Sequence, residues 1–217
     1  MSDEGLGSDP PFELPMFPLG SVLFPHEMLP LHVFEERYRL MIASCLAGDQ
    51  RFGVVLIARG REVGGGDVRY DRGTVATIEV ASPTSDGRYG LLARGGDRLR
   101  VHTWLEDSPY PRALVSIDIN EPPGDLAVEI ASTLARLRGL RELWAALEEG
   151  PPLPEQLGLG ADSNEQIWRL CSATPLGPLD RQRVLEARDP LERLALLDEQ
   201  IAERRGDYEA LLKERSE

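Results

Sequence analysis

The sequence contains a single lysine, Lys213, and this scarcity excludes two kinds of enzymatic site. A Walker-type phosphate-binding loop needs lysine between glycine and serine or threonine, because the ammonium group must reach the terminal phosphates of the nucleotide. Lys213 follows Leu212 and precedes Glu214, so this loop is absent from the sequence. A serine–lysine catalytic dyad needs a lysine shielded from water, whereas we expect Lys213 to lie in an acidic, solvated helix.

Cysteines are also few, and long apolar runs are lacking. Cys45 and Cys171 form no CxxC pair, which excludes a zinc ribbon or a dithiol redox motif, and we expect buried free thiols rather than a disulfide. The sequence contains no run of about 18 apolar residues, the length that is needed to span a membrane. Residues 1–11 are acidic and rich in glycine and proline, unlike a signal peptide. We therefore predict a disordered N-terminus over 1–11 and a cytoplasmic protein.

Acidic residues outnumber basic residues, and the formal net charge is -13. A general nucleic-acid binder needs a basic face that releases phosphate counterions, so this charge disfavours nucleic acid as a partner. The chain still holds 24 lysines and arginines, and nearly all of them are arginines. A continuous arginine stripe would restore the RNA-binding alternative; the candidates for such a stripe are Arg59, Arg61, Arg69, Arg72 and Arg94.

The spacing of apolar residues changes near residues 121–124, where the sequence reads Glu-Pro-Pro-Gly. Before this point apolar runs are short and separated by turn residues, which is typical of strands. After it, apolar residues recur at helical spacing. The sequence therefore predicts a β domain over residues 12–120 and an α-helical domain over residues 121–217.

The first part is predicted to hold six or seven strands and one helix. The helix covers Glu35–Leu46, because apolar residues recur there at i, i+3, i+4 and i+7, and Gly48 is expected to end it. Asp86-Gly87 predicts a hairpin turn, and residues 64–66 predict a glycine-rich loop tip. The predicted strands are Glu13–Leu19, Leu29–Val33, Phe52–Ala58, Gly73–Val80, Tyr89–Ala93, Arg98–Leu105 and Arg112–Ile119.

The second part is predicted to hold four helices. The first follows the apolar residues from Leu126 to Leu147. Ser163 is the expected N-cap of the second, and the third covers Asp180–Ala187. The last begins with Asp189 as N-cap, Pro190 as first helical residue and Glu192 at N3. Its apolar face is predicted to consist of Leu191, Leu194, Ile201, Tyr208 and Leu211.

Two segments in particular carry a family resemblance: residues 14–25, Leu-Pro-Met-Phe-Pro-Leu-Gly-Ser-Val-Leu-Phe-Pro, and residues 30–38, Pro-Leu-His-Val-Phe-Glu-Glu-Arg-Tyr. They resemble the start of the Lon protease N-terminal domain, and most of all its standalone bacterial branch, the Lon substrate-binding domain-containing proteins. The pattern covers roughly residues 12–120. Further matches lie at residues 51–55, 73–78, 86–89, 96–101, 180–186 and 189–194.

The resemblance implies an α+β fold, with a PUA-like, six-stranded mixed β pseudo-barrel followed by an α-helical bundle. It also implies a role in recognising unfolded or damaged polypeptide. The ATPase and peptidase parts of the full protease are missing from this sequence, in agreement with the lysine argument. We therefore expect a non-enzymatic protein-binding module without catalytic residues, cofactor or metal.

Five residues are the candidates for partner binding. Phe24, Met28 and Leu29 belong to an apolar stretch that either fills the core or lines an exposed groove. Glu36 and Arg37 begin the predicted helix, where acidic side chains favour the helix dipole, so a solvated helix face is the alternative explanation. The resemblance places these two residues near a substrate-contacting surface, at the rim of a groove. Phe34 departs from the protease pattern, which commonly has glycine there.

Other interpretations of the motifs are weaker. His26-Glu27 begins like a zinc-protease H-E-x-x-H motif, but Pro30 occupies the position of the second histidine, so no metal site is expected. A small-ligand or RNA-binding protein of PUA-like fold is the alternative function. An adaptor that delivers clients to a separate protease is the other.

Overall fold

The short apolar runs of the first half form six strands, with one helix between the second and the third. The computed structural model describes residues 10–59, 68–118, 124–155 and 157–215, so the predictions for residues 1–9 and 64–66 lie outside the described residues. The strands are β1 (Phe12–Leu19), β2 (Met28–Val33), β3 (Arg51–Arg59), β4 (Val68–Pro83), β5 (Tyr89–Trp104) and β6 (Arg112–Ile117). The helix is α1 (Glu36–Ala47).

The six strands form one mixed sheet, as the resemblance implies, and their order is β2-β5-β4-β3-β1-β6. β1 and β3 are parallel, and the other neighbours are antiparallel. An additional pairing between β5 and β6 closes five of the strands into a barrel. β2 pairs with β5 outside this ring and is the terminal strand of the sheet.

The expectation of two strands at Tyr89–Ala93 and Arg98–Leu105 is wrong, because β5 is one continuous strand of 16 residues. Its first part pairs with β2 and its last part with β6, while both parts pair with β4. The interruption expected at residues 94–97 is absent, and Gly95 within it allows close approach of two backbones. A Cβ atom on Gly95 would lie 2.1 Å from the carbonyl oxygen of Phe24.

Helix α1 begins and ends within one residue of the prediction. It buries Tyr38, Met41, Ile42 and Cys45 against the sheet, at the predicted helical spacing. It ends at Gly48, whose N–H donates to the Cys45 carbonyl oxygen at 3.0 Å. Burial raises the pKa of the Cys45 thiol to about 12, so this thiol stays protonated at neutral pH. Both cysteines are buried and free, as expected.

The chain divides into two units, residues 1–120 and 121–217, and the second contains the remaining helices. These are α2 (Ala127–Ala146), α3 (Ser163–Ala173), α4 (Pro178–Glu186) and α5 (Pro190–Glu214). Helix α2 packs against α3 and α5. Lys213 is exposed in the last turn of α5, which agrees with the solvated position expected for it. In the described part of the chain, no helix has the length and apolarity needed to cross a membrane.

The caps of the helices follow the prediction at one site and differ at another. At α5, the Asp189 side chain accepts a hydrogen bond from the Glu192 N–H at 2.8 Å, and Pro190 is the first helical residue, as predicted. At α3, the N-cap is Asp162 instead of Ser163. The Asp162 side chain accepts from the Glu165 N–H at 2.9 Å. Two adjacent capping residues were available in the sequence, and the carboxylate takes this role.

The predicted apolar face of α5 is only partly correct. Leu194 and Ile201 are buried, but Leu191 and Leu211 are 55% and 45% exposed. The buried stripe runs instead through Arg193, whose guanidinium lies 3.8 Å from the ring centroid of the buried Trp168. A cation–π contact of this kind lets an arginine occupy a position that hydropathy alone assigns to leucine.

The site prediction for Phe24 is also corrected by the fold. Phe24 is 0% exposed, so its ring belongs to the interior and lines no surface groove. Its N–H donates to the Glu27 carboxylate at 2.9 Å, and the preceding Leu23 carbonyl accepts from the Thr74 hydroxyl at 2.6 Å. An apolar stretch beside prolines has the same appearance in sequence whether it is core or surface, and here these contacts hold it inside.

We expect Gly95→Ala to destabilise the protein by about 1–3 kcal/mol, because the new methyl group would overlap the Phe24 carbonyl oxygen. Gly90→Ala in the same strand is the matched control, since its nearest atom, the Ser82 carbonyl oxygen, is 4.0 Å away. Urea denaturation followed by circular dichroism measures both variants. Equal stabilities would contradict the close approach of β5 to residue 24.

We expect Phe24→Ala to lower the free energy of unfolding by about 3–5 kcal/mol, the usual cost of emptying a buried aromatic site. Phe34→Ala is its control, because Phe34 is 53% exposed, and its effect should stay within about 0.5 kcal/mol. The same denaturation experiment compares them. A small effect of Phe24→Ala would show that its ring is not part of the core.

Candidate functional site

The two faces of β2 separate residues that the sequence had grouped. Leu29 and Leu31 pack against the hydrophobic core below the sheet. Since successive side chains of a strand point to opposite faces, Met28, Pro30 and His32 lie on the outer face. Met28 and Leu29, both predicted to bind a partner, are therefore neighbours in sequence that do not share a surface.

An apolar recess of about 100 Å³ lies where β2 ends and α1 begins. Its volume is several times the roughly 30 Å³ that one water molecule occupies in the liquid. We call it the edge recess, because it lies beside the terminal strand of the sheet. It is lined by Phe17, Leu19, Leu31, His32, Val33, Phe34, Glu35 and Tyr38.

Aromatic rings form much of the edge recess. The rings of Phe17 and Tyr38 are stacked, with centroids 4.1 Å apart and an interplanar angle of 8°. Both residues are buried, and Phe17 also contacts Phe52 in the core, with ring centroids 6.1 Å apart. Phe34 differs from them, because 53% of it is exposed to solvent. The recess thus combines a rigid aromatic base with one exposed aromatic side chain.

Charged residues at the start of α1 surround the edge recess. Arg37 lies over the ring of Tyr38 at 4.5 Å and forms an ion pair with Glu35 at 3.2 Å. Glu36 is exposed and forms an ion pair with Arg39 at 2.9 Å. Arg39 also donates to the Gly87 carbonyl oxygen at 2.6 Å, which ties α1 to the turn between β4 and β5. Of the two charged residues predicted, Arg37 contacts recess-lining residues, and Glu36 instead pairs with Arg39.

The outer face of the sheet carries a second apolar feature next to the edge recess. Pro30 pairs in register with Leu92, which pairs in turn with Val80, so the three residues form a row across β2, β5 and β4. Pro30 is exposed, and Val80 is 51% exposed. Met28 lies on the same face. Sequence reasoning missed Leu92 and Val80, because only strand pairing brings them beside Met28.

The metal and RNA interpretations gain no support from the described side chains. The Glu27 carboxylate is engaged by the Phe24 N–H in a tight turn. Within residues 10–59, 68–118, 124–155 and 157–215, no three His, Cys, Asp or Glu side chains are grouped so that they could hold a metal ion. Three candidates for a basic stripe are neutralised by ion pairs, and the rest, Arg61 and the Arg59 side chain, lie outside the description. The ion pairs are Arg69–Asp107, Arg72–Asp118 and Arg94–Glu79.

The family model and the relatives that match this chain all refer to Lon. The family model for the ATP-dependent protease La (LON) substrate-binding domain matches residues 13–203, so it extends from the β unit into the helical unit. The Lon protease of Dictyoglomus thermophilum is 30% identical over 191 residues, covering 86% of this chain and 24% of that protein. A LON peptidase N-terminal domain and RING finger protein of Schizosaccharomyces pombe is 24% identical, covering 85% of this chain and 44% of that protein.

Solved structures show the same architecture. A Lon N-terminal domain protein from Xanthomonas campestris has a TM-score of 0.60 and 28% identity, covering 86% of this chain and 96% of that one. The N-terminal domain of a Mycobacterium avium complex Lon protease also has a TM-score of 0.60, at 17% identity, covering 88% of this chain and 98% of that one.

The chain spans about a quarter of the length of the Lon proteases it matches. The match to the family model covers most of its 217 residues, from β1 into α5. The chain belongs to the Lon substrate-binding domain family.

Proposed function

We propose that this chain is a non-enzymatic module that binds exposed apolar segments of other polypeptides at the edge recess. The observation that carries the proposal is Phe34, an exposed aromatic side chain beside a recess whose base is the Phe17–Tyr38 stack. Contiguous exposed apolar surface marks binding sites in folded proteins, and Phe34 continues the apolar lining of the recess to the solvent. Met28 and the partly buried Leu29 belong to the strand beside the recess.

The family supports the class of ligand. Its model is described as a substrate-binding domain, and the substrates of the related proteins named Lon protease are polypeptides. Transfer of that role to this chain is part of the proposal. Clients that have lost their fold are the expected partners, and a separate protease is the expected recipient if the module acts as an adaptor. The cytoplasm is the proposed location of these encounters.

The size of the site sets the expected affinity. Complete burial of one phenylalanine or leucine side chain contributes about 1.5–3 kcal/mol. One such anchor in the recess, with a second on the outer face, must also offset the freedom that a flexible client loses on binding. Two such anchors contribute about 3–6 kcal/mol before that cost, so weak binding with a dissociation constant of tens of micromolar or higher is expected. Low specificity follows, because apolar burial has little directional character.

We expect Phe34→Asp to weaken binding of an unfolded protein at least about tenfold, because it places a charge at the mouth of an apolar recess. Leu40→Asp is the matched control, since Leu40 is 45% exposed on α1 but does not line the recess. Both variants change the net charge equally. Fluorescence anisotropy with labelled, reduced and carboxymethylated α-lactalbumin measures the affinities. Equal affinities of the two variants would remove the edge recess from the proposal.

Salt dependence gives an independent check of the same proposal. We expect the affinity for that unfolded protein to change less than about threefold between 0.05 and 0.5 M sodium chloride, because apolar contacts are not screened. A single-stranded RNA oligonucleotide, titrated in parallel, tests the alternative function. Saturable RNA binding that collapses with salt, without binding of the unfolded protein, would favour the RNA-binding alternative.

A further inference from the structure

We infer that the client segment binds as an additional β-strand along the outer edge of β2. This inference rests on the proposed function and adds the geometry of recognition, main-chain hydrogen bonding to a sheet edge. The occupant to which it commits is an extended apolar segment of another polypeptide, about five or six residues long. Such strand addition supplies affinity through the backbone and selectivity through alternate side chains.

The first observation is that β2 has a free edge. It pairs with β5 on one side, and no strand in the described ranges pairs with its other side. The other five strands are closed into the barrel, so β2 extends the sheet beyond that ring. A row of backbone groups on an open strand edge is a template for another chain.

The hydrogen bonds next to β2 show which backbone groups face this edge. The His26 N–H donates to the Gly95 carbonyl oxygen at 2.7 Å, and the Gly95 N–H donates to the Glu27 carbonyl oxygen at 2.8 Å. Glu27 therefore directs its carbonyl group toward β5. Since antiparallel ladders alternate, Leu29, Leu31 and Val33 also point their backbone groups toward β5.

The intervening residues then point theirs away from β5. These are Met28, Pro30 and His32, and their carbonyl groups and two N–H groups face the free edge. Pro30 agrees with this assignment, because it pairs with Leu92 in the ladder although it has no N–H to donate. The two remaining donors, on Met28 and His32, are four residues apart, or about 13 Å along the strand.

The composition of β2 leaves its open edge without charged side chains. Natural edge strands are protected by charged side chains, especially lysine, by proline, by bulges or by short length. The sequence of β2 is Met-Leu-Pro-Leu-His-Val, which contains no lysine, arginine or carboxylate. Its protective features are Pro30 and its short length of six residues. Pro30 prevents continuous pairing with an indiscriminate partner and leaves both ends of the strand able to bond.

An added strand would meet apolar surface with both of its faces. Its inner-face side chains would continue the row of Leu29 and Leu31 toward the edge recess. Its outer-face side chains would continue the row of Pro30, Leu92 and Val80. Apolar segments with high β-propensity fit this arrangement, and these are the segments that a protein exposes when it unfolds.

Amide hydrogen exchange measured by NMR tests the inference on the intact protein. The probe is a twelve-residue peptide with a central Leu-Thr-Val-Thr-Leu-Thr segment and flanking arginines. We expect the Met28 and His32 amides to exchange at least tenfold more slowly in the complex. The Leu31 amide, which faces β5, should change much less, and it serves as the internal control.

A pair of substitutions at His32 tests, through the affinity for the peptide, whether its N–H bonds to the added strand. His32→Pro and His32→Ala both remove the imidazole, and only the proline variant also removes the N–H that faces the edge. The proline variant should bind the peptide about three- to tenfold more weakly than the alanine variant, the effect of one backbone hydrogen bond. Circular dichroism establishes whether both variants fold. If the proline variant does not fold, the hydrogen-exchange experiment still tests the inference.

The outcomes separate this inference from the proposed function. Peptide binding with slower exchange at Met28 and His32 supports both. Peptide binding without that slowing, and with equal affinities of the His32 variants, overturns strand addition and leaves the proposed function in place. Absence of peptide binding overturns both. Slow exchange of these amides in the free protein, together with a dimer in sedimentation, overturns the inference by assigning the edge to a second copy.

Discussion

The 16-residue strand β5 is the constraint on which the β unit depends. Its first part pairs with β2 and its last part with β6, while β4 accompanies it along both parts. One strand thereby closes the barrel and also carries a strand outside it. Gly95 makes this possible at the change of partner, because only a residue without a side chain fits beside the Phe24 carbonyl group. The candidate site follows from this arrangement, since β5 is the strand with which β2 pairs in the described part of the chain.

The sequence predicts local elements well where burial has a strong period. Helix α1 was predicted within one residue, because four buried side chains recur at helical spacing along a single face. The N-cap of α5 was also predicted correctly, since Asp189, Pro190 and Glu192 act through contacts within one turn. The resemblance supplied the number of strands and the mixed character of the sheet. In each case the information lies in neighbouring residues or in a long ordered match.

Features that depend on distant pairing were not predictable from the sequence in the same way. Gly95 and Gly96 favour a turn by local rules, and only the partners of β5 show that they form a strand. Phe24 and Phe34 are both aromatic residues near proline or charge, but one is buried and the other is 53% exposed. Val80 and Leu92 join Met28 on one surface only through the register of three strands. The candidate site was therefore located approximately, and its members had to be redrawn.

The contact between Arg39 and the Gly87 carbonyl oxygen has a consequence for kinetics. It fastens the first turn of α1 to the β4–β5 turn, and the Phe17–Tyr38 stack holds the same helix to the sheet. The start of α1, which lines the recess through Tyr38, is thus held to the sheet in the free chain, so the proposed capture of a client would need no movement of this helix. The rate of complex formation would then depend on how often a damaged chain exposes a suitable stretch. Under the proposed function, such a site would respond to the fraction of time that its clients spend unfolded.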